Sequence, residues 1–221
     1  YTTARTNTLY SQVTAWGAAS RQQGDQNYLL GTGPAATQVF NLSTDGLGDK
    51  IIGTLGNCSG GTTPWGTILS CEENYQADPS SFFLGVTETV NPNGTQTAYG
   101  QSGTQTETGL RTAGAEFGMV GEKYGYVVEY DPKVSYMPGQ ELSPRYRAKK
   151  HTAMGRYRHE NVALRVEPGQ KLAAYMGDDR RGGHTWKYVS DAVVTNVTDP
   201  ANSALFENGT LYVARFDANG T

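Results

Sequence analysis

This sequence predicts an all-β protein assembled from β-propeller blades, and three observations carry that expectation. The composition favours turns and strands, the strand signals are short and regularly interrupted, and a four-strand pattern occurs twice in tandem. The chain has 221 residues, with 28 Gly, 9 Pro and 14 Tyr. At 37% hydrophobic residues it can fill a core, which excludes a disordered chain. A net charge of −3 offers no electrostatic footprint for nucleic acid. No apolar run reaches the ~18 residues that a membrane-spanning helix needs.

The strand signals come in order along the chain. Residues 50–55 (KIIGTL) form a compact apolar run, and 65–71 (WGTILSC) follow a proline. Residues 124–130 (YGYVVEY) end at Asp131-Pro132, which stops a strand. Further signals lie at 147–154, 162–166, 171–176 (KLAAYM), 185–189 (TWKYV) and 211–216 (LYVARF). Asn208-Gly209 stands just before the last of these, where a tight turn is expected.

Grouped, these segments repeat. One set of four runs through residues 57–60, 65–73, 124–131 and 147–154; the next runs through 159–166, 171–178, 184–190 and 210–216. In both sets the second strand enters an acidic cluster, Cys71-Glu72-Glu73 in one and Gly177-Asp178-Asp179 in the other. A β-sandwich competes with the propeller reading, but the acidic equivalence favours blades. The whole of 1–221 reads as part of a single propeller domain, and residues 75–123, rich in Thr, Gln, Gly and Asn, read as a long insertion within the first complete blade.

In a blade the start of the innermost strand shares a face with the end of the second. Those places hold Cys58 with Glu72 and Glu73 in the first unit, and Glu160 with Asp178 and Asp179 in the second. Crowded carboxylates repel, so a cation is the expected partner. Carboxylates suit calcium, while a thiolate suits a softer ion such as iron or zinc. The ordinary alternatives are a Cys58–Cys71 disulfide and solvated strand ends. Alternation also turns one member of each acidic pair away from the other. Asn74 beside the acidic pair is a candidate ligand or substrate contact, and Arg180, Arg181 and Lys50 are candidate phosphate contacts. His151, His159 and His184 have no nucleophile near them in sequence, so no Ser-His-Asp arrangement is expected. Six Asn-x-Ser/Thr triplets, at Asn41, Asn57, Asn93, Asn196, Asn208 and Asn219, read as chance in a chain rich in Asn and Thr.

Several stretches resemble the PhoX alkaline phosphatase family. They are residues 57–67 (NCSGGTTPWGT) with 71–74 (CEEN), 124–132 (YGYVVEYDP), 150–160 (KHTAMGRYRHE), 175–180 (YMGDDR) with 187–189 (KYV), and 208–214 (NGTLYVA). They stand in family order over most of the chain. The resemblance implies a six-bladed propeller, of which this chain covers roughly two to three blades. It implies phosphomonoester hydrolysis with iron and calcium as cofactors, small phosphate monoesters as substrates, and a monomer when full-length. It also implies export by the twin-arginine route to the periplasm or cell exterior. Carried over, Cys58 and Glu160 become iron ligands, while Glu73 (with Glu72) and Asp179 (with Asp178) hold calcium.

The sequence departs from the family pattern in one respect. The family's Asp-Arg-Pro-Glu stretch, which brings a further iron-binding Glu and a phosphate-binding Arg, has no counterpart here. The expectation is therefore a piece of a longer enzyme with an incomplete site. Two other functions compete: a calcium-stabilised propeller that binds a partner without catalysis, and a calcium-dependent propeller lactonase.

Overall fold

The computed structural model describes residues 28–42, 46–54, 56–73, 121–132, 148–179 and 182–216. They form two sheets. The first has six strands: β1 (Tyr28–Thr32), β2 (Lys50–Ile52), β3 (Asn57–Thr62), β4 (Ile68–Glu72), β5 (Val127–Tyr130) and β6 (Ala148–His151). Its spatial order is β2-β1-β6-β5-β4-β3. From β3 to β6 it is an antiparallel meander, as the first four-strand set predicts. The addition is β1, which pairs in parallel with β6 and antiparallel with β2.

The second sheet contains β7 (His159–Arg165), β8 (Lys171–Asp178), β9 (Thr185–Val193) and β10 (Gly209–Val213), in the order β10-β9-β8-β7. This is the second predicted set, strand for strand. The chain is thus mostly β; a short helix α1 (Pro34–Gln38) and a 3₁₀ segment, Pro200–Phe206, are among the few helical pieces described. Asp199 caps the 3₁₀ segment by accepting the amide of Ala201, and Pro200 suits its first position. No helix among the described residues is long and apolar enough to cross a membrane.

Strand alternation explains how the two sheets meet. Val127 and Val128 are neighbours on β5 and so point to opposite faces of the first sheet, yet both are buried. Val128 packs with Leu29, Ile51, Ile52, Phe40 and Tyr126 under α1. Val127 packs with Trp65, Leu69 and Cys71 against Val162, Leu172, Ala174 and Met176 of the second sheet, with Phe206 sealing the layer. A sheet buried on both faces reads as continuous apolar sequence, which is what YGYVVEY shows. Among the described residues the two sheets do not close a ring.

Both sheets carry the same irregularity. Asn57 pairs with Glu72 and Gly60 with Ser70, so β3 advances three positions while β4 recedes two. In the second sheet His159 pairs with Asp178 and Val162 with Met176, again three against two. Each inner strand therefore holds one extra residue just after its start. Such a bulge bends the strand and re-aims its side chains. Beyond the bulge, a Cβ at Gly60 would fall onto the Leu69 carbonyl of β4, so only glycine allows this close pairing.

Candidate metal centre

The repeat sets up the site residue by residue. Cys58 and Glu160 each stand inside the bulge of an inner strand, at equivalent places. Glu72 and Asp178 end the paired second strands, and Glu73 and Asp179 follow them. One backbone hydrogen bond recurs: the Glu73 amide donates to the Gly56 carbonyl, and the Asp179 amide donates to the Arg158 carbonyl. The inner strands are neighbours, with the backbone of Gly61 on β3 facing the carbonyl of Val162 on β7. The geometry therefore sets two like strand ends along adjacent strands.

The members of the acidic pairs differ. Glu72 is fully buried and forms an ion pair with buried Lys150, Nζ to Oε1 at 2.7 Å. Thr54 Oγ1 also donates to Oε1, and the amides of Gly125 and Tyr126 donate to Oε2. Both oxygens are occupied by protein, and a metal would have to displace Lys150 into an apolar surround. Burial pushes the Lys150 amine down to about 8, with Glu72 pulling the other way. Lys150 is further held by the Lys123 carbonyl at 3.0 Å and by the Tyr124 ring at 3.9 Å. Asp178 is also buried, and its Oδ1 accepts the Arg158 amide at 3.2 Å. Glu73 is buried at 8% exposure. Cys58, Glu160 and Asp179 are exposed, and no side-chain hydrogen bond or ion pair engages them among the described residues.

Among the described residues no three His, Cys, Asp or Glu side chains stand close enough to hold one metal ion. The convergence expected from sequence thus reaches the level of equivalent strand ends on neighbouring strands, without a finished donor cluster. By donor chemistry, the exposed Cys58 thiol and the exposed Glu160 and Asp179 carboxylates fit iron and calcium, whereas Glu72 does not fit the ligand set. Asn74, Arg180, Arg181 and residues 75–120 of the expected insertion lie outside the described residues; 121–123 form a 3₁₀ turn that buries Lys123. Lys50 opens β2, and its carbonyl accepts from Lys123 Nζ.

Both cysteines are free thiols. Cys71 faces the core between the sheets, where burial, then Cys58 and Glu72, push its thiol up to about 12. That keeps it protonated and unreactive. His159 is fully buried, stacks on Tyr157 at 3.7 Å and places Nε2 at 3.0 Å from the Gly155 carbonyl. A carbonyl only accepts, so Nε2 carries the proton; burial pushes the imidazole down to about 4 and keeps it neutral.

A second buried network went unseen in the sequence. Glu129 on β5 receives Trp65 Nε1 (2.9 Å) and Thr67 Oγ1 (2.6 Å) on Oε1. On Oε2 it meets His151 Nε2 (2.8 Å) and Ser203 Oγ (2.6 Å). Thr32 Oγ1 lies 3.0 Å from His151 Nδ1. The Thr-His-Glu connectivity looks like a nucleophile relay, but all three residues are sealed from solvent. It ties the first sheet to the 3₁₀ segment and serves the fold. Its members come from β1, the turn between β3 and β4, β5, β6 and the 3₁₀ segment, which gives no linear signal for it.

No curated protein matches the chain. The family model described as Alkaline phosphatase PhoX matches residues 2–221. Among solved structures, Pseudomonas fluorescens PhoX in complex with vanadate, a transition state analogue, is similar at 33% identity with a TM-score of 0.57. That likeness covers 86% of this chain and 32% of the Pseudomonas chain, so the chain spans about a third of the length of the structure it matches. The family so matched is described as one of alkaline phosphatases, and the framework seen here is mostly β. The chain belongs to the PhoX alkaline phosphatase family.

Proposed function

We propose that this chain supplies part of a phosphomonoesterase centre, built at one mouth of a β-propeller of which the two sheets are blades. The carrying observation is the duplicated bulge, which stations Cys58 and Glu160 at equivalent places on adjacent inner strands. In this reading Cys58 and Glu160 hold iron, and Glu73 and Asp179 hold calcium. Glu72 and Asp178 support them from the buried side, through Lys150 and the Arg158 amide. Bound there, such metals supply Lewis acidity that offsets charge on the phosphoryl oxygens. The thiolate and carboxylates contribute the negative charge that retains cations, and the bulges aim them outward. Small phosphate monoesters are the substrates, and an exported, periplasmic or extracellular setting suits the family.

The test is hydrolysis of p-nitrophenyl phosphate by the full natural chain purified with iron and calcium. Turnover that disappears on calcium chelation and returns on calcium addition is expected. A metal-replete protein without phosphatase activity overturns the proposal, and hydrolysis of lactones in its place assigns the chain to the competing hydrolase class.

A further inference from the structure

Resting on the phosphatase reading above, we propose that Arg158 binds the phosphoryl group of the substrate beside the metal ligands. The two sheets supply an internal comparison. Gly56 and Arg158 occupy the same place, each one residue before the bulged inner strand and each accepting the amide of the second acidic residue. Gly56 takes a positive φ of 63°, and the first sheet is built there with no side chain at all. The strand end therefore does not require an arginine. A long cationic side chain at this one end is an addition to the common framework.

Its surroundings indicate what it is for. The exposure pattern alternates along the strand, with Tyr157 and His159 buried while Arg158 is partly exposed and Glu160 exposed. Across the pair, Asp178 is buried and Asp179 exposed. Arg158, Glu160 and Asp179 thus share the outward face at the mouth end. Among the described residues the Arg158 guanidinium forms no ion pair, and its Nε is buried without a hydrogen-bond partner. Asp179 stands directly opposite, yet no ion pair joins the two. If Asp179 and Glu160 turn to cations, Arg158 is left needing an anion within reach of those cations. A phosphoryl dianion bound to them meets that need, because a guanidinium presents paired N–H donors that match phosphate oxygens.

The experiment compares wild type, Arg158→Gln and Arg158→Lys in the full natural chain loaded with iron and calcium. Inorganic phosphate is titrated calorimetrically, metal content is measured on the same samples, and KM and kcat are taken with p-nitrophenyl phosphate. Expected is a loss of phosphate affinity on the order of tenfold or more for Arg158→Gln, with metal content unchanged and partial recovery in Arg158→Lys. Unchanged phosphate affinity in Arg158→Gln overturns the inference while leaving the phosphatase reading intact. Metal loss that tracks the affinity loss, or failure of both variants to fold, overturns it in favour of a structural arginine. Wild-type protein that neither binds phosphate nor hydrolyses the ester removes both readings.

Discussion

Replacing Glu129 is the sharpest test of how the two sheets are held together. Truncation to alanine strands Trp65 Nε1 and His151 Nε2, whose acceptor is gone. Thr67 and Ser203 keep second partners in Thr63 and Lys149. Two buried polar groups left unpaired cost about 1–3 kcal/mol each, so Glu129→Ala should lose roughly 3–5 kcal/mol. The carboxyl's acidity gives a separate measure. Burial alone would raise it, but hydrogen bonds from His151, Ser203 and Thr67 and the His151 charge overcome that and hold it down at about 2 instead of 4.5. At about 1.4 kcal/mol per tenfold change in proton affinity, this corresponds to roughly 3 kcal/mol. Because the acidity is enhanced in the folded state, this stabilisation is complete above pH 4.5 and is lost as the pH falls towards 2. Glu129→Gln keeps the shape and should cost less, about 1–2 kcal/mol, since Ser203 can turn and His151 can exchange tautomers. Urea unfolding followed by tryptophan fluorescence measures all three proteins at pH 7 and again between pH 4.5 and 3. An alanine loss below about 1 kcal/mol refutes the reasoning, as does a wild-type advantage that stays constant with acidification.

Four further outcomes follow from other parts of the structure. Lys150→Met should destabilise by about 3–5 kcal/mol by leaving Glu72 charged and buried, and the double change with Glu72→Gln should recover much of that in the same unfolding assay. Gly60→Ala should lower the melting temperature strongly, by an overpacking cost of about 3 kcal/mol or more, because the added methyl meets the Leu69 backbone. Gly177→Ala, with open space at its Cβ, should stay within about 0.5 kcal/mol of wild type. Cys58→Ser should remove bound iron from the full natural chain while leaving Cys71 buried, as metal analysis and thiol titration would show; undiminished iron would reassign Cys58 to a structural role.

Most strands of both repeats were legible as short apolar or aromatic runs closed by turn residues, although β3 (NCSGGT) and β6 (AKKH) are not of that kind. YGYVVEY ending at Asp-Pro is one case, and KLAAYM is another. Strand β1 was not legible: YLLGT is brief, and its partner β6 lies far along the chain. Cys58, Glu160 and the acidic pairs stand out as candidates from the repeat, since equivalent places in two units are visible in a linear reading. What separates Glu72 from Glu73 does not, because the ion-pair partner Lys150 is 78 residues away and reads locally as a surface cation in AKKH. Glu129 was hidden for a similar reason, as one charged residue in an apolar strand whose four donors come from three other segments. The bulges appear only when register is known. Long-range pairing decides these cases, and composition and spacing carry no trace of it.

The parallel pairing of β1 with β6 bears on the order of assembly. Sheet β7–β10 is made of successive hairpins, so each strand finds its partner soon after it is synthesised. Strand β1 instead waits for Lys149–His151, about 120 residues later, before Leu30 to Thr32 have a neighbour on that side. Contacts that span so much chain form slowly, and β1 with its exposed edge must meanwhile avoid pairing elsewhere. Pulse-labelled hydrogen exchange during refolding is expected to protect β8 and β9 amides before those of β1. The core under α1 would then be the last part of the described residues to harden.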